Sequence, residues 1–447
     1  MKGQRFLNYK DALEYIHNTN KFGMKLGLDN MKNLLNILGN PQNKLKFIHI
    51  AGTNGKGSIS AFLNSILINE GYRVGLFISP YLEEFTERIQ INGEHINKEE
   101  LVRLTHRVKK AIEVLLSKGY QHPTEFEIVT TIGLLYFYEQ QVDLVILEVG
   151  LGGRLDATNI IPKSLVSIIS SIGLDHTMYL GNSIEEVAVE KGGIIKEKGD
   201  IVLYPQRDNV IKVIEDIAQE KKANLYIVEK ASVNFKEGTI EGQSFSYIGE
   251  NLKLPQVEIK LLGRHQIYNG GTVLKAIEVL RKKGFRITNH SILEGFKKAQ
   301  WPGRFEIISN NPIVILDGAH NPQGAKAFNK AIREYFPEKR IILFFGLLED
   351  KDSEEILKYI LPIAKEVITL TPNNPRAIEG KLLAEKIKQF NNCNKNCFQD
   401  IKVRSMDLEE VFPVINQINP DEIISFTGSL YLIGEIRRMW NYSGLNS

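Results

Sequence analysis

The segment Ala51-Gly52-Thr53-Asn54-Gly55-Lys56-Gly57-Ser58 carries the strongest chemical signal in the chain. Its glycines let the backbone turn tightly and point N–H groups at anionic oxygens. A helix beginning there adds positive potential. Lys56 supplies a mobile point charge suited to terminal phosphates. Thr53, Asn54, Gly55, Gly57 and Ser58 complete the expected cradle. The match to the strict G-x-x-x-x-G-K-[ST] pattern is imperfect. Ile50 stands at its first glycine, and Gly57 stands where Ser or Thr should follow the lysine. A Gly-rich turn with an exposed lysine is the competing reading. The strand before the loop and the helix after it favour phosphate.

Other residues are weaker signals taken singly. Glu148 closes a buried apolar strand just before Gly150-Leu151-Gly152-Gly153. Ligands of open α/β sheets collect at such strand ends, and a carboxylate there suits Mg²⁺. His176, in Gly173-Leu174-Asp175-His176, is a poor magnesium ligand on type alone, since that ion prefers oxygen. Lys191 lies in a helix opened by the capping pattern Ser183-Ile184-Glu185-Glu186, where an ordinary lysine is a solvated charge. Asp317 ends a strand and could simply cap the following helix. Arg304 could be a surface ion pair.

The elements that must position these residues follow from apolar periodicity. Strands are expected over Lys46–Ala51, Val74–Ser79, Asp143–Val149 and Leu165–Ile172. Helices are expected near Ser58–Glu70, Lys98–Lys118 and Glu125–Gln140. Continuous apolar strands alternating with helices predict a mainly parallel sheet covered on both faces. From Ala223 to Leu262 the runs Leu225–Val228, Ser244–Ile248 and Val257–Leu262 predict a small antiparallel patch. A helix follows near Gln266–Lys283. After Trp301-Pro302-Gly303-Arg304 a second α/β series begins, with strands at Ile313–Asp317, Arg340–Phe345, Val367–Leu370 and Glu422–Thr427. The expected fold class is α/β in two domains, 1–296 and 297–447.

The 447 residues are 43% hydrophobic and 24% charged, enough to build real cores, and the net charge is +3. That balance gives no reason to expect nucleic acid or a membrane as partner. Neither a secretory leader nor an apolar span of membrane length is read, so a cytoplasmic location is expected. The two cysteines, Cys393 and Cys397, lack further ligands and read as free thiols in a polar loop.

In combination the motifs become specific. Gly52-Thr53-Asn54-Gly55-Lys56-Gly57-Ser58 resembles the loop of folylpolyglutamate and dihydrofolate synthases, relatives of the Mur ligases. Further blocks agree in order: Ser79-Pro80-Tyr81-Leu82 with Glu87-Arg88-Ile89, then Glu148 through Asn159, and Leu174-Asp175-His176. Glu190-Lys191-Gly192-Gly193-Ile194-Ile195-Lys196 and Gly263-Arg264-His265-Gln266 with Asn269 follow. Trp301-Pro302-Gly303-Arg304, Asp317-Gly318-Ala319-His320-Asn321-Pro322 and Gly428-Ser429-Leu430-Tyr431 complete the series. Gly192 is a mild departure, where alanine is expected.

The resemblance implies an N-terminal P-loop ATPase domain, like the Mur ligase central domain, and a C-terminal Rossmann-like domain. It implies an ATP-dependent ligase joining L-glutamate to a folate carboxylate through an acyl phosphate, with tetrahydrofolate and also dihydropteroate as acceptors. Two Mg²⁺ ions are implied, held by Ser79, Glu148 and His176, and a Lys191 carbamylated by CO₂. ATP is expected against Asn269, Arg304 and Asp317, with His320 near the phosphates and Lys56, His176, Lys191 and His320 as the catalytic set. Ser79, Pro80, Tyr81, Thr124, Phe126 and Asp156 are the expected acceptor pocket, and a monomer is expected. The alternatives are a Mur-type UDP-muramoyl ligase, a regulatory nucleotide-binding ATPase, and a kinase using only the first half-reaction.

Overall fold

The computed structural model describes residues 8–19, 23, 27–393 and 401–442. Its first sheet has eight strands: β1 (Phe47–Ala51), β2 (Val74–Phe77), β3 (Ile89–Ile91), β4 (Glu94–His95), β5 (Leu144–Glu148), β6 (Val166–Ile169), β7 (Asp200–Leu203) and β8 (Asn224–Ile227). The spatial order is β4-β3-β2-β5-β1-β6-β7-β8. Strands β2, β5, β1, β6, β7 and β8 run parallel, and β3 and β4 add an antiparallel hairpin. Every residue of β1 and β5 is buried, as the continuous apolar runs required.

Alternation of side chains sends Ile48, Ile50 and Ile146 to one face of this sheet and Phe47, Val145 and Leu147 to the other. The first face packs on helices Lys56–Asn69 and Arg264–Lys282 and on a three-stranded antiparallel sheet. That sheet comprises β9 (Val233–Thr239), β10 (Gly242–Ile248) and β11 (Lys253–Ile259). The second face packs on helices Lys98–Ser117 and Glu125–Glu139. One expectation is corrected here. Leu225–Ile227 belongs to β8, a parallel edge strand of the large sheet, and β9 takes its place in the antiparallel patch.

The third sheet comprises β12 (Glu306–Asn310), β13 (Ile313–Leu316), β14 (Ile341–Phe345), β15 (Ala364–Thr369), β16 (Lys402–Ser405) and β17 (Ile423–Thr427). Its order is β12-β13-β17-β14-β15-β16, parallel except for β12. Buried aliphatic and aromatic side chains fill both its faces. Cys393 is an exposed free thiol, and Cys397 lies outside the described residues. Among the described residues no helix is long and apolar enough to cross a membrane.

Candidate active site

The strand order places the chemistry. The parallel neighbours β2, β5, β1 and β6 all end at one edge of the first sheet. Ser79 follows β2, Glu148 ends β5, the phosphate loop follows β1, and Asp175 and His176 follow β6. In the second domain Asp317 and His320 follow β13, Lys351 follows β14, and Ser429 follows β17. The two edges face each other. Asn54 Nδ2 donates to Asn321 Oδ1 (3.1 Å) and Gln323 Oε1 (2.9 Å), and Gln323 Nε2 donates to Ser171 Oγ (2.5 Å).

The loop is held by its neighbours. Thr53 N and Asn54 N donate to Ser171 O at 2.9 and 3.2 Å, and Thr53 Oγ1 donates to Gly173 O at 2.9 Å. Gly55 has φ +92, and a Cβ there would stand 2.7 Å from Asn269 Oδ1. Asn269 itself is buried, with Nδ2 on Gln266 Oε1 at 2.9 Å. Helix Lys56–Asn69 opens at Gly55 with no side-chain cap, which leaves first-turn N–H groups for an anion. Gly57 has a separate cause. A Cβ there would lie 2.5 Å from Trp301 Nε1, so the indole excludes the Ser or Thr of the strict pattern. Ser58 is buried in the first turn.

Two ammonium groups converge on one carbonyl. Lys56 Nζ donates to Gly52 O at 3.1 Å, and Lys191 Nζ donates to the same oxygen at 3.0 Å. Lys191 is buried. Burial, and then the Lys56 charge, push its amine down to about 7. The solvated helix lysine that its sequence alone suggested is therefore not what the fold makes.

Glu148 is buried, and burial pushes its carboxyl up to about 7 against the opposing charges of Lys56 and Arg304. Ser79 Oγ is buried and has no hydrogen-bond partner among the described residues, after β2 and beside the cis Ser79–Pro80 bond. Arg304 is half-buried, and loss of solvent lowers it despite the facing charges of Asp317 and Glu148. Asp317 accepts from Phe305 N (2.9 Å) and Ala319 N (2.8 Å), so it organises its own loop as well as facing Arg304.

His176, Asp175, His320, Asp350 and Lys351 form a second cluster between the domains. Lys351 Nζ lies 2.6 Å from Asp175 Oδ1, with both side chains almost fully buried. His320 Nδ1 donates to Gly318 O (2.7 Å), leaving Nε2 3.6 Å from Asp175 Oδ2. Burial opposes ionisation of Asp175, but His320, His176 and Lys351 outweigh it and hold the carboxyl well below its ordinary range. Burial lowers His176 to about 4 against the opposing charge of Asp175, so its imidazole is neutral at physiological pH. Sequence reasoning missed Lys351. Its only local signal was a charged loop after an apolar strand.

The expected acceptor pocket is partly built as scaffold. Thr124 caps helix Glu125–Glu139 in a capping box with Glu127. Phe126 fills the space beneath Gly150, where a Cβ would stand 2.6 Å from its ring, and meets Phe77 edge-on. Asp156 accepts from Leu151 N (2.8 Å), Thr158 N (2.9 Å) and Thr158 Oγ1 (2.5 Å). Tyr81 packs edge-on against Phe85, with the Arg88 guanidinium 5.1 Å from its ring.

Two parallel-sheet domains with a phosphate loop and facing strand ends define a nucleotide-dependent ligase of the Mur type. The Mur ligase middle domain matches residues 50–277, and the Mur ligase glutamate ligase domain matches residues 303–430. The Bacillus subtilis dihydrofolate synthase/folylpolyglutamate synthase is 39% identical over 437 residues, covering 97% of this chain and 99% of that protein. The Thermotoga maritima folylpolyglutamate synthase structure is 36% identical, covers 98% of each chain and has a TM-score of 0.83. The Mycobacterium tuberculosis folylpolyglutamate synthase, solved with ADP and AMPPCP, is 27% identical. That match covers 97% of this chain and 99% of that chain, with a TM-score of 0.87. The chain belongs to the folylpolyglutamate synthase/dihydrofolate synthase family of Mur-type ligases.

Proposed function

We propose that this protein joins L-glutamate to a folate carboxylate, using ATP and releasing ADP and phosphate, with dihydropteroate as well as tetrahydrofolate as acceptor. The observation that carries this reading is the meeting of the two strand-end edges. One supplies Lys56, Ser79 and Glu148, and the other Arg304, Asp317 and His320. The acceptor carboxylate attacks the terminal phosphorus of ATP, forming an acyl phosphate. The amine of glutamate then displaces phosphate from the acyl carbon. Such transfer is mostly positioning and charge neutralisation, and no protein nucleophile is required. Lys56 and Arg304 are placed to neutralise phosphate charge, and closure of the domains keeps water from the acyl phosphate. The same reading carries Asn269 against the nucleotide, the acceptor between Tyr81 and Asp156, a cytoplasmic monomer, and a domain division at 296/297. Helix Asn289–Lys298 runs across that division and packs on helix Lys56–Asn69 through Gly295.

The residues present fit Mg²⁺. Ser79 offers a buried oxygen that no group among the described residues uses, and Glu148 offers a buried carboxylate whose ionisation a cation would restore. Among the described residues no group of three or more His, Cys, Asp or Glu forms a metal cage. Magnesium completed by phosphate oxygens needs none. Bound there, it would neutralise the phosphate oxygens. His176, neutral and across the loop, is assigned to a second such ion. Lys191 fits carbamylation, because only a neutral amine attacks CO₂, and its product anion would face Lys56. Carbon-13 NMR with labelled bicarbonate tests the adduct, and an unmodified amine in bicarbonate-treated active enzyme rejects it. Turnover with ATP, Mg²⁺ and glutamate on dihydropteroate, tetrahydrofolate or a UDP-muramoyl acceptor tests the function. Turnover of only the last would sink the folate reading.

A further inference from the structure

Arg88 is a cation that no carboxylate pairs with among the described residues, although Glu125 and Glu87 act on it from a distance. Its Nε is buried and has no hydrogen-bond partner among the described residues. The guanidinium lies 5.1 Å from the Tyr81 ring centre and 5.6 Å from that of Phe85. Nearby anions are engaged elsewhere. The Glu87 carboxylate accepts from Leu82 N (2.7 Å), Glu83 N (2.8 Å) and Glu84 N (2.7 Å). Glu125 Oε2 lies 3.3 Å from His17 Nδ1. Removing a guanidinium from water without an acceptor is unfavourable, and two aromatic faces offset only part of that.

Its place in the fold says what should fill it. Ile78 N donates to Arg88 O at 3.1 Å, which sets Arg88 beside Ser79 at the end of β2. Helix Leu430–Tyr442 of the second domain covers the same segment. Arg437 pairs with Glu83, Arg438 Nη2 donates to Glu83 O (3.1 Å), and Tyr431 acts electrostatically on Arg88. The guanidinium therefore stands between the domains, near where the proposed ligation occurs. Its planar fork matches a carboxylate.

We propose that Arg88 receives the α-carboxylate of a glutamyl group, and so selects an α-amino acid over a simple amine. This rests on the glutamate-ligase reading above. Two sources share that chemistry, the incoming glutamate and the glutamyl tail of a tetrahydrofolate acceptor. The test compares wild type with Arg88→Gln and Arg88→Lys. L-Glutamate and 4-aminobutyrate, which lacks only the α-carboxylate, serve as amines, and dihydropteroate and tetrahydrofolate as acceptors.

If incoming glutamate binds Arg88, wild type prefers it to 4-aminobutyrate by about 10²-fold or more, and Arg88→Gln loses most of that preference. If the acceptor tail binds, KM rises about tenfold or more for tetrahydrofolate and stays near wild type for dihydropteroate. These ratios do not depend on the folded fraction of a variant. Unchanged discrimination on both arms overturns the proposal. So does failure of both variants to yield folded protein, which makes Arg88 a structural residue. Wild type inactive with every folate acceptor would instead fail the underlying reading.

Discussion

Replacing Lys191 by methionine should stabilise the protein while abolishing turnover. The folded amine sits at about 7, against an ordinary value of 10.5. Between those values the unfolded chain holds a proton at this position and the folded chain does not. Wild-type stability therefore rises with pH through that window, and the full penalty is present below it. At pH 7.5 the penalty is about 4 kcal/mol. Methionine fills similar space and carries no charge. The lost hydrogen bond to Gly52 O offsets about 1 kcal/mol, and Lys56 still serves that carbonyl. The variant should thus gain about 2–3 kcal/mol at pH 7.5. Urea denaturation in CO₂-depleted buffer measures it. The gap should shrink by roughly 2–3 kcal/mol between pH 6.5 and pH 9. A variant less stable at every pH, or a gap independent of pH, would refute the buried-amine argument.

Further outcomes follow from the same geometry. Glu148→Gln should cut turnover by about 10²-fold or more and flatten the Mg²⁺ dependence of what remains, read in a coupled ADP assay. Gly57→Ser should raise KM for ATP about tenfold or more by pushing Trp301 aside, and Trp301→Leu in the same chain should recover part of the loss. Lys351→Met strips Asp175 of its closest cation and should loosen the domains. Small-angle scattering should show a larger radius, and kcat/KM should fall about tenfold or more.

Strands buried on both faces were legible because nearly every residue in them is apolar. Thus β1 and β5 were found nearly to the residue. The short hairpin β3–β4 and the exposed, charged β9 carry no such run and were missed, as was β7, whose apolar run Ile201–Leu203 is only three residues long. β8 was found, but its parallel pairing depends on a distant partner, β7. At the site, Lys56 and Glu148 were visible because each stands at a strand end. The environment of Lys191 was not visible, since burial beside Gly52 depends on how its helix docks. Asp175 and Lys351 meet only when two domains face each other, which no local pattern records.

The contact between Gly57 and Trp301 has an evolutionary consequence. A single change restoring the strict phosphate-loop sequence would meet the indole, and a change at the indole alone would leave a void over the loop. Neither position can drift freely without the other. A lineage leaving this pairing must pass through an intermediate that is either overcrowded or underfilled. The substitution that looks most conservative by motif, Gly57 to serine, is therefore one that a distant residue of the chain bars.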